Sequence, residues 1–182
     1  MSCIIIYHSE CGHTKRYAEY LNMRIAADKL ISLDQFKFKD ILNYDNIIYA
    51  GNIKNNVIVG LNKLLKKYKK IKDKNIFVIG VGLLNITAMN NGNDTFNRDI
   101  IIISNSLDDK HVRLYLLPGG FNINKFSKFK GKIIKRMLKF ASKDKSSGEK
   151  ASIDMLLSNG IDLVDINNLD KIVSVYNRVN NK

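Results

Sequence analysis

Between the first apolar run of the chain and its first helical pattern lies Tyr7-His8-Ser9-Glu10-Cys11-Gly12-His13-Thr14. Ser9 and Thr14 supply hydroxyls, and Gly12 permits a tight turn. A helix that starts here leaves its first N–H groups without intrahelical partners. Together with the helix dipole these groups form an anion site that needs neither Lys nor Arg. A phosphate ester suits such a site.

Two side chains in the segment invite sharper chemistry. A helix N-terminus lowers a thiol pKa, so Cys11 is a candidate nucleophile or redox group. The small tyrosine phosphatases and arsenate reductases place five residues between Cys and Arg, whereas here four residues separate Cys11 from Arg16 and no Ser follows. Cys11 therefore reads as a small loop residue. His13 could donate a proton to a bound substrate, but a contact to phosphate or an exposed position is the simpler reading. A receiver domain needs clustered acids after its first strand, and Glu10 stands alone there.

Positioning this loop requires a strand before it and a helix after it. Cys3-Ile4-Ile5-Ile6-Tyr7 reads as a strand buried on both faces. From His13 to Ala26, Tyr17, Ala18, Leu21 and Ile25 recur at helical spacing. Further strands are expected at Leu30 to Leu33, Asn46 to Ala50, Asn75 to Ile79 and Val112 to Leu117. Helices are expected at Phe36 to Leu42, Val57 to Tyr68, Asp94 to Ser104, Phe129 to Phe140 and Leu169 to Tyr176. In the helix from Val57, the residues Leu61, Leu64, Leu65 and Tyr68 would face inward. Lys143 to Lys150 is polar and reads as a surface loop. Strands alternating with helices predict an α/β fold with a five-stranded parallel sheet covered on both faces. Right-handed crossovers favour the order 2-1-3-4-5, with ligands bound beyond the carboxyl ends of the strands.

At 182 residues one domain, 1–182, is the expectation. The apolar share of 45% and the charged share of 26% are those of an ordinary globular protein. No apolar run approaches the ~20 residues of a membrane helix, so an integral membrane protein is not expected. The start lacks the basic region and cleavage site of a signal peptide. Two cysteines, Cys3 and Cys11, support neither a disulfide framework nor a zinc site, which points to the reducing cytoplasm. The net charge of +13 has two readings. Abundant Lys, Asn and Ile with scarce Arg, Ala and Pro fit an AT-biased genome. Alternatively, the charge recruits an acidic redox partner, a membrane surface or another anionic partner. No nucleic-acid motif accompanies it. Lys66 to Lys74 is the densest basic run and reads as a solvated helix end.

The segment Ser9-Glu10-Cys11-Gly12-His13-Thr14 resembles the first loop of flavodoxins, S-x-T-G-N-T, with Ser9, Gly12 and Thr14 matching. The likeness extends to Ala50 to Gly60, where Gly51, Ile58 and Gly60 match and Lys54 stands in place of a Tyr. It continues through Val78 to Gly82, Leu116 to Asn122 (with Pro118 in place of an Arg) and Asp162 to Asp165. The pattern is most similar to the branch that includes menaquinone-dependent protoporphyrinogen oxidases. The resemblance implies a flavodoxin-like three-layer sandwich holding FMN, used in electron transfer or FMN-dependent oxidoreduction. It further implies that Ser9, Glu10, Cys11, Gly12, His13 and Thr14 hold the phosphate. Gly51, Asn52, Ile53, Lys54 and Asn55, with Gly82, Leu83 and Leu84, would flank the isoalloxazine ring. None of these flanking residues is aromatic, so Ile53 or Leu83 would have to supply the stacking surface. With Asn52, Lys54 and Asn55 replacing the usual Gly and Tyr, a second reading is a binding module that has lost FMN.

Overall fold

The computed structural model describes residues 1–82, 112–141, 143 and 146–181. The first strand, β1 (Cys3–His8), is followed by α1 (His13–Ile25) and β2 (Lys29–Ser32). A 3-10 segment, Phe38–Asn43, leads into β3 (Asn46–Lys54), then β4 (Val57–Ile58), α2 (Leu61–Leu65) and β5 (Asn75–Gly82). Beyond these come β6 (Val112–Pro118), β7 (Gly120–Phe121), α3 (Lys128–Ala141) and α4 (Ser147–Asn159). The chain continues through β8 (Ile161–Asp162) to α5 (Asp170–Asn180). The main sheet runs β2-β1-β3-β5-β6 with every neighbouring pair parallel. That is the expected flavodoxin-like order once the short β4 is set aside.

Period-2 alternation sends successive strand residues into two separate cores. Ile4, Ile6, Ile47, Tyr49, Ile76 and Val78 enter one, where they meet Leu61 and Leu64 of α2 and Ile41 and Ile71 from the 3-10 segments and turns. Cys3, Ile5, Ile48, Ala50, Phe77 and Ile79 enter the other, against Tyr17, Ala18 and Leu21 of α1 and Ile172 and Tyr176 of α5. The near-continuous isoleucine runs thus follow from helices on both faces of a parallel sheet. At the amino edge, buried Asn46 is fully used. Its side-chain amide donates to Ser2 O (3.3 Å) and to Asn180 Oδ1 (2.7 Å), and its oxygen accepts from Asn75 Nδ2 (3.1 Å).

Three expectations change. Val57 and Ile58 form an antiparallel ribbon with β3 rather than a helix, because Asn55 and Asn56 take φ of 50° and 62°. Two consecutive left-handed residues make the tight hairpin turn whose twist suits paired strands, and Asn tolerates it. The helix that remains is Leu61–Leu65, with Leu61 and Leu64 buried and Leu65 only partly so; Tyr68 begins a separate 3-10 turn. Part of the expected loop Lys143 to Lys150 is helical, since α4 starts at Ser147. The expected helix Asp94 to Ser104 lies outside the described residues. Among the described residues no helix is long and apolar enough to cross a membrane.

Ile48 is 0% exposed in β3, the central strand of the sheet. Ile48→Ala is expected to cost about 2–5 kcal/mol through lost burial and the cavity left behind. Met23→Ala, at a position 67% exposed, should stay within about 0.5 kcal/mol. Urea denaturation of the two variants checks the contrast.

Candidate functional site

The carboxyl ends of four strands, β1, β3, β5 and β6, meet in register. His8 pairs with Gly51 and Gly51 with Gly80, while Asn52 pairs with Val81 and Gly82 with Pro118. His8, Gly51, Asn52, Gly82 and Pro118 therefore share one edge of the sheet. Gly12 is the residue before α1 and has φ of 93°, a left-handed conformation that a side chain disfavours. Its N–H donates to Ser9 Oγ (3.0 Å), which folds the loop back on itself. A Cβ at Gly12 would meet nothing within 4 Å, so this side of the loop is open. No acidic residue stands in the first turn of α1 to fill its field. Thr14 is 1% exposed, turned into the fold, whereas Glu10 is exposed.

Across the edge, Gly51 is required by space. A Cβ there would lie 2.7 Å from Ile58 Cγ2 and 2.9 Å from Tyr49 Cε1. Asn52 is half-buried, and its side-chain oxygen is buried without a hydrogen-bond partner among the described residues. The Ile53 side chain lies over Gly80 and Gly82, with its Cβ 3.1 Å from a Cβ built on Gly82. Lys54 and Asn55 are exposed at the hairpin tip. Leu83 and Leu84 lie outside the described residues.

The first loop also forms one wall of an open cleft of about 470 Å³. Cys11, Gly12 and His13 face Phe121, Asn122 and Lys125 across it, with Gly160 and Asp162 closing one side. The far wall depends on β7 pairing antiparallel with β8, Phe121 against Ile161, which brings together residues 40 apart in the chain. Leu163 N adds a bond to Gly119 O (2.9 Å). Phe121, Asn122 and Asp162 lie in segments that carry the family likeness, which by itself gives them no role in the site. The motif Pro118 to Asn122 was the available signal; the long-range pairing has no local one.

Side chains of α1 fasten this wall. The Tyr17 hydroxyl, buried under the sheet, donates to Pro118 O (2.9 Å) and accepts from Asp165 N (3.0 Å). Arg16 forms an ion pair with Asp162. His13 Nε2 lies 3.9 Å from Asp162 Oδ1, and a Cβ on Gly120 would collide with the imidazole. Burial holds the His13 pKa below the ordinary value, assisted by Arg16 and Lys125 and opposed by Asp162. For Asp162, burial pushes the carboxyl up, but the Val164 N–H, Arg16 and His13 outweigh it and the net shift is downward. Burial raises the Cys11 thiol more than the Asn122 backbone lowers it, which fits a small loop residue rather than an activated nucleophile.

Tyr17→Phe removes both hydroxyl bonds and strands a carbonyl and an N–H. It should cost roughly 1–3 kcal/mol in denaturant melts. The pH dependence has a definite sign. A histidine whose folded pKa is lowered binds its proton more readily in the unfolded chain. Its share of stability is therefore complete above about pH 6.5 and declines as pH falls below that value towards the folded one. The depressed Asp162 carboxyl acts the same way at lower pH, where stability is lost as pH falls through its folded value. His13→Gln should flatten the fall in Tm between about pH 7 and pH 5; an unchanged slope would show that His13 titrates as in the unfolded chain.

The family model described as "Flavodoxin domain" matches residues 4–148. No curated protein sequence matches the chain. Solved structures of similar shape include a flavodoxin from the Archaea, at 15% identity, covering 75% of this chain and 92% of its own with a TM-score of 0.41. The two-electron reduced flavodoxin of Megasphaera elsdenii is also 15% identical, covering 63% and 84% with a TM-score of 0.41. The Trp repressor binding protein of Bacillus subtilis is 16% identical, covering 66% and 85% with a TM-score of 0.43. The domain match takes in well over half of the sequence, from β1 to the start of α4, and on that ground the chain belongs to the flavodoxin domain family.

Proposed function

We propose that the protein binds FMN non-covalently at the carboxyl edge of the sheet and serves in electron transfer. The observation that carries this reading is the anion cradle of the first loop. Gly12 is left-handed with open space beside it, and the first turn of α1 offers unpaired N–H groups with no acid nearby in the helix. In this reading Ser9 to Thr14 hold the phosphate, with the helix dipole supplying the positive field. Glu10 opposes it but is solvent-exposed, where its charge is screened. Asn52 supports the fit on the other side of the edge, since its orphaned oxygen is an acceptor that an N–H of a ligand would satisfy. Gly51 to Asn55 and Gly82 then line the ring, with Ile53 as the apolar surface in place of an aromatic one.

Bound there, a flavin supplies electron exchange in one- or two-electron steps, tuned by nearby charge and hydrogen bonds. The chain's own residues bind, orient and shield it. A redox partner carrying acidic groups would complement the +13 net charge. Substrate oxidoreduction is a second reading, supported by the cleft beside the first loop, where the neutral His13 imidazole can donate or accept a proton.

A pair of substitutions at Gly12 tests the cradle. Both Asp and Asn tolerate left-handed backbone, so Gly12→Asp and Gly12→Asn differ mainly in charge. Gly12→Asp is expected to weaken FMN at least roughly ten-fold more than Gly12→Asn does, given the size of Coulomb terms at close range. Riboflavin, which lacks the phosphate, should bind the two variants alike. Fluorescence titration with both ligands measures this. Equal losses for FMN and riboflavin, or no flavin binding by the unaltered protein, would overturn the proposal.

A further inference from the structure

Helix α3 has the sequence KFKGKIIKRMLKFA: six of its 14 residues are Lys or Arg, and none is Asp or Glu. At about 100° per residue, Lys135, Lys128, Lys132 and Arg136 fall in that order around one side of the helix. Phe129 and Ile133, one turn apart, come next to Arg136 on the same exposed arc. Phe129 is 74% exposed and Ile133 is 45% exposed. Gly131, one turn before Lys135, borders the stripe on its other side, where the helix meets the fold: it is buried, and a Cβ built on it would lie 3.7 Å from Ile123 O. The outward surface of α3 is thus a basic stripe bordered by an apolar strip.

Two cations of the other lysine-rich segment differ from these. There, Lys67 lies over the Phe38 ring at 5.2 Å, and Lys74 Nζ donates to Leu42 O (2.8 Å), so these cations serve the fold itself. The α3 stripe instead faces outward beside large apolar side chains that gain nothing from water.

We propose that this face of α3 docks the protein on an anionic lipid surface. Cations alone would complement an acidic protein or a nucleic acid equally well. An exposed phenyl ring and a branched aliphatic beside them select a bilayer interface, where the apolar pair enters the acyl boundary. The flanking Lys and Arg stems extend their charges to the headgroups. The association is made by the surface of α3, at the level of the headgroups and the acyl boundary. It depends on α3 alone and stands apart from the flavin reading.

The chain contains no Trp, so Phe129→Trp introduces a single fluorophore at the contact. Vesicles of phosphatidylcholine alone and of phosphatidylcholine with phosphatidylglycerol in equal parts provide the surfaces. The Trp emission should shift to the blue and the full-length protein should co-sediment only with the anionic vesicles. Lys132→Glu with Arg136→Glu should weaken vesicle binding by roughly ten-fold or more. Phe129→Ser with Ile133→Ser should weaken it comparably while leaving the circular dichroism melt unchanged, since both sites are exposed. Absence of binding to anionic vesicles overturns the proposal. So does binding without a blue shift, or binding that survives loss of the apolar pair. Capture of duplex DNA or an acidic protein by the basic stripe, with vesicles ignored, assigns the surface to that other class and equally overturns it.

Discussion

Burial of β1, β3 and β5 on both faces is the constraint from which the rest of the structure follows. With Ile5 and Ile48 under one helical layer and Ile4 and Ile47 under the other, the faces of these strands offer nothing to a ligand. Fully burying each such side chain stabilises the fold by about 1.5–3 kcal/mol, so the faces cannot be opened cheaply. The chemistry is displaced to the strand ends. At the amino end the space is taken by the Asn46 clasp with Ser2, Asn75 and Asn180. At the carboxyl end the chain turns at Gly12 before α1 and at Asn55 and Asn56 beyond β3, and beside Gly12 the backbone lies open.

How much of this was legible in the sequence depended on how far each signal reached. The strands announced themselves because a strand covered twice must be apolar at every position, and Cys3 to Ile6 is. Helix α1 was visible because Tyr17, Ala18 and Leu21 face one layer only. The hairpin after β3 was misread because Leu61, Leu64, Leu65 and Tyr68 carry a helical period that extends backwards over Val57. The turn signal, two consecutive asparagines, was present but weaker than the period. Helix α4 has no clear apolar stripe, with Leu157 its buried side chain among those described, so the period offered nothing to find. In the site, the first loop was readable from five consecutive small or polar residues before a helix. Its opposite wall was not, since the pairing of Phe121 with Ile161 is a tertiary event.

The lysines show that net charge is a poor guide to any one residue. Lys74 closes carbonyls left by a 3-10 segment, and Lys67 covers an aromatic ring, which are structural duties. On α3 the same residue type is spread along an exposed arc beside Phe129. Genome bias can raise the number of lysines without deciding where the fold turns them.

The β7–β8 ribbon has one more consequence. Residues 122–160 leave the body of the protein at Phe121 and rejoin it at Ile161, directly opposite in the ribbon. Entry and exit are thus adjacent, and their spacing is set by strand pairing rather than by anything within the helical excursion. An excursion mounted in this way is a cassette. Its length and surface can be exchanged, by an engineer for instance, while Tyr17 ties Pro118 to Asp165 on either side of the ribbon and Arg16 holds Asp162 of β8 beside the first loop. The sheet and its carboxyl edge can then stay constant while the surface presented to the surroundings evolves at a separate pace.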